Sequence, residues 1–318
     1  MTLQTNQLTA TTNKLIDKKV NDGVFKSNGT YALLSQPGKI KLRDGGIKLA
    51  FPISTVDEDD TTGGWYTGSQ ALDGNEYDPI TDSQHDWKNI YEHVTIPWDM
   101  LLKASGKANQ VALLASRVDI AFKAMAHRMG AGLHNDGTTT NAFIGMDAIM
   151  STSSTYGGIA VADFAEWIAN ITQGSTPGTN EALTLARIQS VMGDCTEGLD
   201  KPDFAVLRQN VFNEMWSLLQ PHQRLSHDNN MSGLGHSGVL KFNGIPWIID
   251  SKAKANSISF LNTEYFFLAA HSKKNMKRET FNTLESADAF RSRITFMGNL
   301  ICSNRRFVGR LEDVTAVS

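Results

Sequence analysis

The chain has 318 residues, 41% of them hydrophobic, enough to bury a sizeable core in two domains or in one elaborated domain. Its 30 Lys and Arg stand against 33 Asp and Glu, a net charge of −3, so it lacks the basic excess of a protein whose main task is gripping nucleic acid. No run approaches the ~18 apolar residues of a membrane-spanning helix, the N-terminus lacks the features of a secretory signal, and Cys195 and Cys302 have neither metal nor redox spacing and are expected as two buried thiols in a reducing compartment.

In chain order, residues 1–35 are rich in Thr, Asn and Gln and too sparse in apolar residues for a core, which predicts an extended arm that orders only against something else. Ile40, Leu42, Ile47, Leu49 and Phe51 alternate with polar residues around Asp44-Gly45-Gly46, predicting a β-hairpin. Turn signals then run through Gly63-Gly64, Asp73-Gly74 and Asp78-Pro79, and Ile90–Trp98 alternates like a strand leading back to the body. Residues 36–98 thus read as a long two-stranded excursion, a structure marginal in water without a partner to pack on. From Asn109 to about Leu133 the period becomes helical: Val111, Leu114, Ala115, Val118, Phe122, Met125 and Met129 form one stripe, and Leu113, Ile120 and Ala124 a second. Further on, the patterns predict a short helix at Val161–Ile171, a helix at Leu183–Met192, a buried strand at Phe204–Leu207 and a helix at Asn210–Leu219. An antiparallel meander is expected from Val239–Phe242, Ile245–Ile249 and Ile258–Leu268. The closing run from Phe290 to Leu311 alternates arginines with β-branched and aromatic residues at a period near two, as strands with one buried and one cationic face would.

Charge is segregated along the chain. Residues 1–56 hold eight basic and three acidic residues, 57–99 hold one basic residue against eleven acidic, and 271–318 hold nine against five. Such blocks can pair within a chain or between copies.

The spacings that would signal catalysis fail on context. Gly233-Leu234-Gly235-His236-Ser237-Gly238 matches GxGxxG literally, yet a polar loop precedes it and a strand is expected after it, the reverse of a dinucleotide site. His222, His227 and His236 fit no metal-ligand spacing, and solvated loop histidines are the simpler reading. An EF-hand loop starting at Asp57 would need Gly and Glu where Thr62 and Gly68 stand. No catalytic residue, cofactor or metal site is therefore expected. The Asn304-Arg305-Arg306 cluster could meet phosphate or a neighbour's carboxylates, and the acidic block favours the latter.

Ile96-Pro97-Trp98-Asp99 before the long helix, Asn243-Gly244-Ile245-Pro246-Trp247-Ile248-Ile249-Asp250, and Gly298-Asn299-Leu300-Ile301-Cys302-Ser303-Asn304-Arg305-Arg306 occur in an order that resembles tailed-bacteriophage major capsid proteins of the HK97-like fold, over nearly the whole chain. The resemblance implies an α+β fold with an N-arm at 1–35 and an extended β-hairpin E-loop at 36–98. It further implies a peripheral domain with a long spine helix at 99–150 and 271–300, and an axial α/β domain at 151–270 and 301–318. It implies a virion shell protein without enzymatic activity, assembled in the host bacterial cytoplasm into hexamers and pentamers around double-stranded DNA that it touches non-specifically. The implied partners are other copies of itself, a separate scaffolding protein, a portal protein and, in some members, a decoration protein; no membrane is involved. Met1 directly before a short arm favours the separate scaffold over a cleaved one, and Lys39, Lys41, Lys48 and Lys88 carry no motif that selects one for crosslinking. The candidate contacts between copies are Asp57, Glu58, Asp59 and Asp60 on the excursion, set against Lys273, Lys274, Lys277, Arg278, Arg291, Arg293, Arg305 and Arg306. Two other readings remain open: an encapsulin-like nanocompartment shell, and a soluble metal-dependent hydrolase using the His222, His227 and His236 region.

Overall fold

The helical stripe that begins near Asn109 is realised in the computed structural model as a helix of 27 residues, Lys107–Leu133, about 40 Å long. The structure describes residues 28–36, 39–54, 65–71, 80–104, 106–152, 155–162, 164, 166–219 and 241–315. In chain order the elements that matter here are α1 (Gly29–Leu34), β1 (Ile40–Arg43), β2 (Lys48–Ser54), β3 (Ile80–Asp86), β4 (Lys88–Pro97), α2 (Trp98–Lys103), the long helix α3 (Lys107–Leu133), and α4 (Met146–Ile149). They are followed by β5 (Asn170–Thr172), α5 (Leu185–Asp194), β6 (Phe204–Leu207), α6 (Gln209–Leu219), β7 (Lys241–Phe242), β8 (Ile245–Ile249) and β9 (Ile258–Leu261). The chain closes with β10 (Phe266–His271), β11 (Lys277–Arg278), β12 (Asn282–Thr283), β13 (Ala289–Cys302) and β14 (Gly309–Leu311).

A first sheet is organised by the 14-residue strand β13. One of its edges carries β4, paired antiparallel from Ala289↔Pro97 to Gly298↔Lys88; the other carries β12, β11 and β10, with β1 added parallel to β10. Gly298 lies where β13 passes β10, and a side chain there would come within 2.2 Å of the Ala269 carbonyl oxygen, so only glycine permits this approach. The inner face of the sheet, with Val94, Ile96, Ile294 and Phe296, packs on Ala121, Met125, Met129 and Leu133 of α3. These positions fall four residues apart along the helix, the spacing that aligns side chains on one face. Leu113 is buried separately against Met100 and Ala104, while Val111 and Ile120 remain exposed.

The second sheet has the order β5-β14-β9-β6-β8-β7. It is buried on both faces, which is why Phe204-Ala205-Val206-Leu207 reads as an uninterrupted apolar run. Ala205, Leu207, Ile258, Phe260 and Leu311 face α5 and α6 through Ile188, Val191, Val211 and Met215, whereas Val206 and Leu261 belong to the core shared with the first sheet. Thr184 caps α5, its hydroxyl oxygen accepting from the Arg187 amide at 3.3 Å.

Several expectations are corrected. The strands either side of Asp44-Gly45-Gly46 do not form a hairpin: β1 pairs with β10 and β2 with β3. The two glycines, at φ +128° and +102°, instead turn the chain from one sheet to another. Among the described residues the two-stranded ladder runs from Lys48↔Asp86 to Ser54↔Ile80, and β1 and β4 are part of the body instead. The end of the N-arm is helical and docked, with Leu33 and Leu34 buried. No helix is described within 161–171, where Asn170–Thr172 is a strand parallel to β14. The supposed meander is split: β9 pairs with β6 rather than β8, and the turn at Asn262–Tyr265 sends β10 into the first sheet. Alternation is the same in both halves of that run, so periodicity could not show that they belong to different sheets. Phe266–Ala270 and Ile301–Cys302 accordingly lie in the first sheet. Both cysteines are buried and free, and burial pushes each thiol up to about 12.

Candidate assembly surfaces

The β2–β3 ladder alternates in burial, as a strand pair with one face on a surface must. Leu49 and Phe51 pack on Phe267, Ala269 and Ile301 of the first sheet. Phe51 meets Phe267 edge-on with ring centroids 5.4 Å apart, and Lys41 and Arg43 cover those two rings from the solvent side. Beyond this base, Ile80 at the start of β3 and Trp65 and Tyr66 between the two strands are exposed. Asp57, Glu58, Asp59 and Asp60 lie outside the described residues, as do the GxGxxG stretch at 233–238 and His222, His227 and His236.

Among the described residues the outer face of the first sheet is exposed and cationic. Arg291 and Arg293 of β13 alternate with buried Ser292 and Ile294, and they pair across the ladder with Thr95 and His93 of β4. Tyr91 lies against His93 on the same face, ring centroids 4.8 Å apart and planes tilted by 54°, and Lys277 extends the face through its pairing with Thr295. Arg293 bridges to Glu279 at 3.2 Å, both half exposed, a pair of small energetic consequence. Arg278 lies over the Phe281 ring, and Lys273 and Lys274 are exposed on the turn after β10. Among the described residues, no ion pair is seen for Lys273, Lys274, Lys277, Arg278 or Arg291.

The arginines after Ser303 behave differently. Arg305 is fully buried and donates to the carbonyls of Ile149 (2.9 Å), Trp167 (2.9 Å) and Ser151, all within its own chain. It is removed from the candidate contacts for that reason. Arg306 is half exposed and held between Glu166 (3.1 Å) and Glu197 (3.0 Å). Arg310, 1% exposed, joins Asp147, the Ser259 hydroxyl and Glu312. These side chains tie the second sheet to α4 and to the loop after it.

A further buried cluster lay beyond sequence reasoning. Thr30 donates its amide to Asp250 (3.0 Å), its hydroxyl meets His134 Nε2 (3.1 Å), and His134 Nε2 lies 3.2 Å from the same carboxylate. Asn28 donates to the carbonyl of Ala126 on α3, where Gly130 leaves it room. Burial alone would raise the Asp250 pKa, but the hydrogen bonds from His134, Lys252 and Thr30 outweigh it and hold the carboxyl well below its ordinary range. The cluster pins the arm to both cores. Its members are 220 residues apart at the extreme, and no local pattern joins them.

No family model and no curated protein matches this chain. Solved structures do match, over almost their full length. A capsid subunit of cyanophage A-1(L) superposes with a TM-score of 0.73 at 17% identity, covering 96% of this chain and 98% of that one. The chain has the HK97-like capsid fold. The capsid protein of a native GTA particle shares it at a TM-score of 0.66 and 12% identity, over 95% and 96% of the two chains. So does the SrpI encapsulin of Synechococcus elongatus, at 0.59 and 9%, over 97% and 96%. Among the described residues, the arginines of β13 and the side chains of Trp65, Tyr66 and Ile80 are exposed on this fold. Among the described residues no three His, Cys, Asp or Glu side chains gather as a metal set, and no helix is long and apolar enough to cross a membrane.

Proposed function

We propose that this chain is the major capsid protein of a tailed phage, a structural subunit that closes an icosahedral shell around double-stranded DNA. The observation that carries the reading is end-to-end similarity to a cyanophage capsid subunit, joined to a strand pair that packs on the first sheet through Leu49 and Phe51 and to exposed Trp65 and Tyr66 between its strands. The acidic Asp57–Asp60 stretch of one copy would lie across the cationic face of the next, with Arg291, Arg293, Lys277 and Arg278, and with Lys273 and Lys274 at its edge. The first sheet with α3 would form the peripheral domain, and the second sheet would cluster at the five- and six-fold axes. Scaffolding, portal and decoration proteins would be the partners of such a shell in the host cytoplasm, and near-neutral net charge suits a container that must release its DNA.

The test is to express the protein, treat assemblies with nuclease and image them. Closed shells of uniform size are expected. Replacing residues 55–79 by a short linker should leave a folded subunit that cannot close shells, and normal particles from that variant would overturn the role given to the hairpin. The encapsulin reading is kept because of the SrpI similarity, and the two differ in contents: cargo protein for a nanocompartment, DNA in the virion. The long acidic excursion favours the phage reading.

A further inference from the structure

The base of the β2–β3 hairpin sits on two unlike surfaces. Its apolar half, Leu49 and Phe51, lies on the first sheet. Its polar half, Ser83 and His85, lies on the loop at 155–159: the Gln84 amide donates to the Gly157 carbonyl at 2.7 Å, and the His85 ring stands 4.8 Å from the Tyr156 ring. Ser83 Oγ and His85 Nε2 bond to each other at 2.9 Å, while His85 Nδ1 is buried with no hydrogen-bond partner among the described residues. Where the two hairpin strands leave the body, Trp87 Nε1 donates to the Gly46 carbonyl and Asn299 to the Asp86 carbonyl, both at 2.9 Å. Trp87 alone separates β3 from β4, and Gly45 and Gly46 lie in the connection that leads into β2. The chain therefore has a bending point on each strand and one polar seam holding the bend.

We propose that the Ser83–His85–Tyr156–Gly157 seam is an acid-released hinge: it holds the hairpin base to its own subunit at neutral pH and lets go when His85 takes up a proton.

A protonated imidazolium would need an acceptor for each ring N–H, and among the described residues the seam supplies one, the Ser83 hydroxyl. The ionisable and charged groups around the ring are few. Asp86 follows on the same strand, paired across the ladder with Lys48; Leu49, opposite His85 on β2, is apolar. Tyr156 is a neutral phenol whose pKa burial raises, and the Arg305 guanidinium carbon lies over its ring, 5.5 Å from the centroid. Asp136 and Asp147 line a cavity next to Tyr156 and Gly157. Burial pushes His85 down to about 4, against a smaller upward pull from Asp86. The closed seam thus binds the proton more weakly than the open one, whose histidine keeps an ordinary value near 6.5. The closed form is favoured above that value, and its advantage falls as pH drops through the interval from about 6.5 to 4.

Hydrogen exchange of the full chain, wild type against His85→Gln at matched pH, tests this directly. Gln keeps a polar group facing Ser83 but cannot titrate. Relative to His85→Gln, wild-type amides of β2 and β3 should lose protection on the order of a hundredfold between pH 7 and pH 4, with α3 unchanged. Parallel behaviour of the two proteins at every pH, or loss in α3 together with the hairpin, would overturn the proposal. Should the Gln variant not fold, Gly157→Ala serves instead. A Cβ there, at φ +63°, would fall 1.9 Å from Ser83 Oγ and wedge the seam apart. It should show at pH 7 the exchange that wild type shows at pH 4, and full protection of β2 and β3 in this variant sinks the hinge. Neither readout depends on shell formation, so the hinge and the capsid reading can fail separately.

Discussion

Arg291 and Arg293, and then Arg305 and Arg310, belong to one arginine-rich run, yet the two pairs have opposite surroundings. The first pair stands on the outer face of β13, facing solvent. The second pair is buried, 0% and 1% exposed, and spends its donors on carbonyls, a hydroxyl and carboxylates where the second sheet meets α4. A guanidinium can do either, because its planar fork of donors can be satisfied by water and partner groups or by a fixed shell of oxygens. Alternation reveals which residues share a face. It does not reveal whether that face looks at solvent, at another copy or at a second core of the same chain.

The contrast can be tested at three points. Arg305→Ala leaves the carbonyls of Ile149, Ser151 and Trp167 buried without this donor and should cost about 3–5 kcal/mol, read as a loss of denaturation midpoint in the unassembled subunit. A midpoint within error of wild type would mean that Arg305 is not structural. The double reversal Arg291→Glu with Arg293→Glu should leave subunit stability within about 0.5 kcal/mol while sharply lowering particle yield. Unchanged yield would break the proposed contact between copies. Arg306→Ala, with a half-exposed side chain between two half-exposed carboxylates, should cost less than about 1 kcal/mol, and less again in high salt. A larger, salt-independent loss would place it with the buried pair.

Local chemistry made much of the fold legible. The stripe from Asn109 to Leu133, the buried strand at Phe204–Leu207 and the helix at Asn210–Leu219 each rest on a period that burial imposes within one element. The misses share a different cause. Asp44-Gly45-Gly46 has the composition of a hairpin turn, but which strand β1 pairs with is decided by Leu268–His271, far along the chain. The run Ile258–Leu268 alternates throughout although the turn at Asn262–Tyr265 divides it between two sheets. The cluster of Thr30, His134 and Asp250, and the seat of His85 on Tyr156 and Gly157, depend on contacts that only the folded chain creates. Of the candidate contacts, Arg291 and Arg293 were legible as one face of a strand. The burial of Arg305 was not, since Asn304-Arg305-Arg306 looks the same in sequence whichever arginine turns inward.

The position of β14 has a consequence for biosynthesis. It lies between β5 and β9, so until residues 309–311 arrive, β5 has no partner and one edge of β9 is open. The ribosome delivers this strand after the other five of its sheet. A partly made chain can wind α3 and pair β6 with β9, but it cannot finish the second sheet. Closure of the second sheet therefore waits on a strand that leaves the ribosome after the strands it joins.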